Sequence, residues 1–179
     1  MKTTVRRTLP LLIATVALAL FALPVLTACD NEDDVKEIFT GKVWKLSYIY
    51  AEGAYSIPID FWEGDAKKEE ASRTLRDVDG NYIVEFTGAA MDGTFKGSVN
   101  GRIVNSTFTG QWQADASTHT LTISNLTFAG KNETDVQAVN FKRGLQNVYK
   151  YTGDSNGLYL HYKDNTLERV LALFVSKTK

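Results

Sequence analysis

Five consecutive residues carry the letters of a serine nucleophile. Gly153-Asp154-Ser155-Asn156-Gly157 matches G-x-S-x-G, and His161 and Asp154 lie close enough in the chain to invite a triad. The pattern works only where a strand turns sharply into a helix and lifts the serine above a parallel sheet. Here it falls between Tyr149-Lys150-Tyr151 and Leu158-Tyr159-Leu160, two β-like runs, and Asp, Ser, Asn and two Gly in five residues are hairpin chemistry. A hairpin turn is therefore expected, with no catalytic serine. His119 sits among Ser117, Thr118 and Thr120 and reads as turn or exposed strand. His161 shares the face of Tyr159, opposite Leu158 and Leu160, and reads as solvent-facing. Neither histidine has a partner at metal-ligand spacing, so no metal site is expected. Asp77-Val78-Asp79-Gly80-Asn81 has a misplaced glycine and no later bidentate acid, which makes it a turn and not a calcium loop. The Asn-x-Thr triplets at Asn105, Asn125 and Asn132 would matter only in a eukaryotic secretory route.

The remaining reactive side chain is Cys29, the only cysteine among 179 residues. Lys2, Arg6 and Arg7 form a basic head, and an apolar run follows from Leu9 to Leu26, broken near its ends by Pro10 and Pro24. Leu26-Thr27-Ala28-Cys29 closes the run and resembles the bacterial lipobox. There the thiol takes a diacylglycerol, and small residues before it let a peptidase cut. The resemblance implies removal of residues 1–28 and acylation of Cys29, with two or three acyl chains holding the mature chain at a bilayer. Removing Lys2, Arg6 and Arg7 takes three of the 20 basic residues and none of the 21 acidic ones, so the mature chain is net acidic. Asp30, Glu32, Asp33 and Asp34 follow at once and read as an extended acidic tether over residues 29–40. The cluster also resembles the acidic signal that routes some Gram-negative lipoproteins to the outer face of the outer membrane. The periplasmic face is the alternative.

These features need a body to carry. At 44% apolar and 23% charged, the chain is globular, and its length suits one domain. Its nearly balanced charge gives no basic field for nucleic acid. From about residue 41 the pattern is β. Trp44, Leu46, Tyr48 and Tyr50 alternate with Lys45 and Ser47. Tyr82, Val84 and Phe86 repeat the period, as do Phe108 with Trp112, Leu121 with Ile123, Leu158 with Leu160 and Tyr162, and Leu171 with Leu173. Asp79-Gly80, Asp92-Gly93, Asn100-Gly101 and Asn156-Gly157 mark tight turns between sequential antiparallel strands. One helix interrupts them, from Glu133 to Val148, with Ala138, Phe141, Leu145 and Val148 on one face and Asn132 or Thr134 as its cap. Residues 60–80 are charge-dense and read as an insertion, either a short solvated helix around 65–76 or a long loop.

Trp44-Lys45-Leu46, Phe108-Thr109-Gly110-Gln111-Trp112, Leu121-Thr122-Ile123, Phe141 with Leu145, and Leu158 with Leu160 follow one another in an order that resembles the META domain, a small bacterial domain of heat-shock-linked envelope lipoproteins. The family often carries a Gly-Cys-Asn turn, where this chain has Ser98-Val99-Asn100, and nothing in it corresponds to the 60–80 insertion. The resemblance implies a compact antiparallel β fold with one packed helix and no established enzymatic activity, and it transfers no catalytic residue.

The expectation is therefore a mainly β (α+β) domain over residues 41–179, a compact antiparallel sheet or small barrel with one packed helix. It is anchored through Cys29, without catalytic residue, metal or cofactor, and it binds or scaffolds an envelope protein or glycan. Aromatic residues are the surplus, and Trp62 with Phe61, beside the charged insertion, is the expected binding face. A lipocalin-like carrier of an apolar ligand is the rival reading.

Overall fold

A computed structural model of the chain describes residues 31–54, 57–91 and 94–177. Eight strands run in sequence: β1 (Val43–Ala51), β2 (Ile83–Met91), β3 (Thr94–Arg102), β4 (Ser106–Asp115), β5 (Thr120–Gly130), β6 (Val148–Gly153), β7 (Gly157–Asp164) and β8 (Leu167–Val175). Each pairs antiparallel with the next, and β8 returns to β1, so the sheet closes into an up-and-down barrel. Three helices complete it: α1 (Asn31–Phe39), α2 (Ala66–Asp77) and α3 (Val136–Asn147). The small-barrel expectation holds. Tyr82, Val84, Phe86, Phe108, Trp112, Leu121, Leu158, Leu160, Leu171 and Leu173 all point inward and are buried, as period two requires.

Both mouths of the barrel are stoppered. At one end Val35, Ile38 and Phe39 of α1 are buried. The Phe39 ring stacks on Trp112 at 4.8 Å and meets Phe86 and Tyr151 edge-on at 5.0 and 4.9 Å. The extended tether expected over 29–40 is thus corrected from Asn31 onward. Spaced i, i+3, i+4, those three apolar residues make one helix face, and burying it outweighs the solvation of the neighbouring acids. Cys29, Asp30 and the whole of residues 1–28 lie outside the described residues. At the other end α3 crosses the mouth with Ala138, Phe141 and Leu145 fully buried, the face expected of it. Its cap is Asp135, not Asn132 or Thr134. The Asp135 carboxylate accepts from the Ala138 amide at 2.9 Å. Gly144 has a packing reason, since a Cβ there would stand 2.7 Å from Leu171 Cδ1.

Asn100-Gly101 is not a turn. Both residues lie inside β3, paired with β2 and β4, and the β3–β4 reversal falls at residues 103–105 instead. There Glu133 accepts from the Val104 and Asn105 amides and from the Ser106 hydroxyl, which closes the turn with a remote carboxylate. The glycines of β2 and β3 serve close approach: a Cβ on Gly97 would lie 1.7 Å from the Thr87 carbonyl oxygen. Backbone cannot yield as a side-chain tip can, so Gly97→Ala should cost about 1–3 kcal/mol in urea denaturation.

Asp154 caps the β6–β7 hairpin, accepting from the Asn156 and Gly157 amides at 2.7 and 3.0 Å, so the G-x-S-x-G pentapeptide is a turn. Asp115 does the same between β4 and β5. Bonds from the Ser117 hydroxyl and the Thr118 and Ser117 amides hold its carboxyl down at about 2. Because the folded value lies below the usual carboxylate value of about 3.9, this stabilisation is complete above that pH and disappears as pH falls through about 2. Asp115→Asn should therefore narrow the difference between urea midpoints measured near neutrality and in acid.

Residues 60–80 form the β1–β2 connection. The segment around Pro58 and Ile59 pairs with β1 (Ile59 N–H to Ile49 carbonyl, 2.9 Å), and α2 follows, capped by Asp65. The short helix is realised, and it is tied down. The Trp62 indole N–H donates to Ser72 Oγ at 2.9 Å, and the Ser72 hydroxyl donates to Asp135, whose other oxygen accepts from the Tyr82 hydroxyl at 2.9 Å. One carboxylate thus joins α2, α3 and the start of β2. Tyr82 is held there with φ of 54°, a left-handed conformation that a bulky side chain adopts only under constraint. Burial and the Asp135 charge push its phenol pKa up, so the hydroxyl stays a donor.

Candidate binding face

Phe61 and Trp62, the expected binding face, are only partly open. Both are half-buried and packed edge to face at 6.0 Å, with the Arg169 guanidinium 5.6 Å from the Phe61 ring and the indole N–H committed to Ser72. Their chemistry is that of anchors for the β1–β2 connection.

A second group of aromatic residues, half-buried like Phe61 and Trp62 except for Phe174 at 38% exposed, lies elsewhere for a reason simple alternation could not reveal. The β1–β8 register shifts between Leu46 and Tyr48, a β-bulge at Ser47. The extra residue turns Ile49 inward beside Trp44 and Leu46 and sends Tyr48 and Tyr50 to the outside. Phe174 of β8 and Tyr159 of β7 face the same way. Tyr48 lies 5.8 Å from Tyr50 and 6.5 Å from Phe174, and Tyr159 lies 6.1 Å from Phe174. Beneath these rings Val170 and Ala172 are fully buried on the outer side of the sheet. Burial, with Glu52, Tyr48 and Tyr159 nearby, pushes the Tyr50 phenol up to about 12. It therefore remains a hydrogen-bond donor at any physiological pH.

His161 belongs to this face and is 8% exposed, which corrects the solvent-facing expectation. Its Nδ1 lies 2.7 Å from Glu52 Oε2 and its Nε2 lies 3.0 Å from Thr152 Oγ1. A neutral ring donating from Nδ1 and accepting at Nε2 satisfies all three groups. Hydroxyl, imidazole and carboxylate stand in the order of a nucleophile, a base and its orienting acid. Thr152 sits within the β6–β7 ladder opposite Tyr159. The arrangement works as a clasp that pins the start of the β1–β2 connection to the barrel wall.

Ser155 stands apart from this histidine, both of whose ring nitrogens are taken. The Ser155 carbonyl accepts from Lys42 Nζ at 2.9 Å. Ser155 edges a cleft of about 390 Å³ at the α1 mouth, with His119 and Tyr151 (ring centroids 5.5 Å apart) and Asp154. His119 is exposed in a turn, as expected. No group of three or more His, Cys, Asp or Glu placed to hold a metal occurs among the described residues, and no helix among them is long and apolar enough to cross a membrane.

A closed, eight-stranded, up-and-down barrel is the architecture of lipocalin-like ligand-binding proteins. The family described as "Domain of unknown function (DUF4847)" matches residues 30–175, and the chain belongs to it. It is similar to the crystal structure, at 1.00 Å, of a DUF4847 family protein from Bacteroides vulgatus ATCC 8482. The two are 25% identical with a TM-score of 0.54 over 81% of this chain and 99% of that one. No curated protein gives a significant match.

Proposed function

We propose that this chain is a lipid-anchored, non-catalytic module of the bacterial outer membrane, displayed at the cell surface, which binds or scaffolds an envelope protein or glycan through the outer face of β7, β8 and β1. The observation that carries the reading is the position of Tyr48, Tyr50, Tyr159 and Phe174. Large aromatic side chains gathered on the outside of a barrel mark an interaction surface. The lipobox at residues 26–29 supports the anchor, and in sequence α1 begins two residues after Cys29, at Asn31.

The rival carrier reading draws on the barrel architecture. Against it stands the interior, filled by Phe39 and Trp112 from one mouth and by Phe141 and Leu145 from the other. Growth with labelled palmitate should label the wild-type chain and leave Cys29→Ser unlabelled; an unlabelled, uncut wild type defeats the anchor. Pull-down against surface polysaccharides and envelope proteins should lose its catch in Tyr48→Ala/Tyr159→Ala and keep it in Trp62→Phe. Equal capture by the double variant defeats the binding face.

A further inference from the structure

The aromatic face runs into a cationic cleft. Lys45 of β1 and Phe174 of β8 are cross-strand partners, so they share the outer side of the sheet. The Phe174 ring that meets Tyr48 and Tyr159 therefore also edges the cleft beyond it. The cleft measures about 370 Å³ and is bounded by Lys45, Ser47, Arg76, Phe174 and Lys177, with Asp77 as the one carboxylate among its described lining residues. The Ser176 amide donates to the Val43 carbonyl at 2.8 Å, which fixes the end of the described chain beside β1 and brings Lys177 to the rim.

These three cations are oriented but not neutralised. Arg76 Nη1 donates to the Ser47 carbonyl at 2.7 Å, and its Nε lies a loose 3.5 Å from Asp77. Lys45 Nζ donates to the Val78 and Asn81 carbonyls at 2.8 and 3.1 Å, which leaves its third N–H unused. Burial lowers the Lys45 pKa against the opposing pull of Asp79 and Asp77, and the Arg76 charge lowers it further. Lys177 is exposed and makes no hydrogen bond or ion pair among the described residues. An anion entering the cleft would relieve the repulsion between Lys45 and Arg76. The guanidinium fork suits a carboxylate or a phosphate.

The rings beside the cleft select the rest of the ligand. Three of the four are tyrosines, half-buried, each presenting an apolar ring with a hydroxyl at its edge. A sugar offers the complement: C–H faces that lie on rings, and hydroxyls that bond beside them. An acidic peptide backbone answers only the cations. On the reading that this aromatic face is the binding face, we propose that its ligand is an anionic sugar chain, whose rings lie on Tyr48, Tyr159 and Phe174 and whose carboxylate or phosphate enters the cleft between Lys45, Arg76 and Lys177.

Calorimetric titration of residues 31–179 tests it. These residues form a compact unit, and the similar crystallised chain corresponds to it over 99% of its length. Tetragalacturonate supplies carboxylates and mannopentaose phosphate a phosphate; the methyl ester of the first and the unphosphorylated second are their neutral counterparts. At least one acidic sugar should bind about tenfold more tightly than its counterpart, and the one that does identifies the anion. Lys177→Glu should weaken that binding about tenfold at an unchanged melting temperature, and Lys177→Arg should keep it. Tyr48→Ala/Tyr159→Ala should weaken it too. If neutral sugars bind as tightly as acidic ones and only the tyrosine variant loses them, the anionic ligand is overturned and the aromatic face stands. Binding that needs Lys177 but not the tyrosines overturns both. Tetraglutamate bound as tightly as the sugars, or no binding of either acidic sugar, also overturns the proposal.

Discussion

Asp135→Ala should lower the urea midpoint of unfolding by about 2 M, the largest single effect of a polar substitution in this barrel. The carboxylate does three jobs from one position: it caps α3 through Ala138, takes the Ser72 hydroxyl of α2, and takes the Tyr82 hydroxyl at the start of β2. Loss of an N-cap costs about 1 kcal/mol. Each buried hydroxyl left without an acceptor costs about 1–3 kcal/mol more. A total near 4 kcal/mol is a large part of the 5–15 kcal/mol that domains possess, and an m-value of about 2 kcal/mol/M converts it to the stated midpoint shift. Asp135→Asn keeps the cap and one acceptor, so its loss should be less than half as large. If alanine and asparagine behave alike, the three bonds are not the source of the effect.

Phe39→Ala should cost about 3–5 kcal/mol, the range for removing a buried phenylalanine. Phe39 is fully buried and in ring contact with Phe86, Trp112 and Tyr151, so its deletion opens a void at the α1 mouth that the surrounding strands cannot collapse to fill. Because Trp112 loses its stacked neighbour, near-ultraviolet circular dichroism should change in the folded variant, and an apolar dye should gain binding. Phe39→Leu should recover about half the stability. A variant as stable as wild type would mean that α1 rests on the barrel without sealing it.

Much of the wall was legible because period two needs no context: Tyr82, Val84 and Phe86, or Leu158, Leu160 and Tyr162, turn inward wherever the strand is placed. The α3 face was legible for the same reason, at period 3.6. Three features were hidden by interactions remote in sequence. The bulge at Ser47 leaves no mark in composition, so Tyr48 and Tyr50 read as inward when they face out. His161 is covered by Glu52, 109 residues away along the chain. Asn100-Gly101 has the letters of a turn, yet Gly101 serves contact, with a Cβ there falling 2.6 Å from the Phe108 ring. The plug was readable in part, since Val35, Ile38 and Phe39 already have helical spacing, but the surrounding acids concealed it.

Chemical-shift mapping of residues 31–179 during titration with an envelope fraction tests most directly whether this barrel works by its outside. Perturbations confined to Tyr48, Tyr50, Tyr159, Phe174, the Glu52–His161 clasp and the adjoining cleft of Lys45, Arg76 and Lys177 are the predicted result. Perturbations centred on the inward side chains Phe108, Phe141, Leu160 and Leu171 would contradict it and make the chain a carrier.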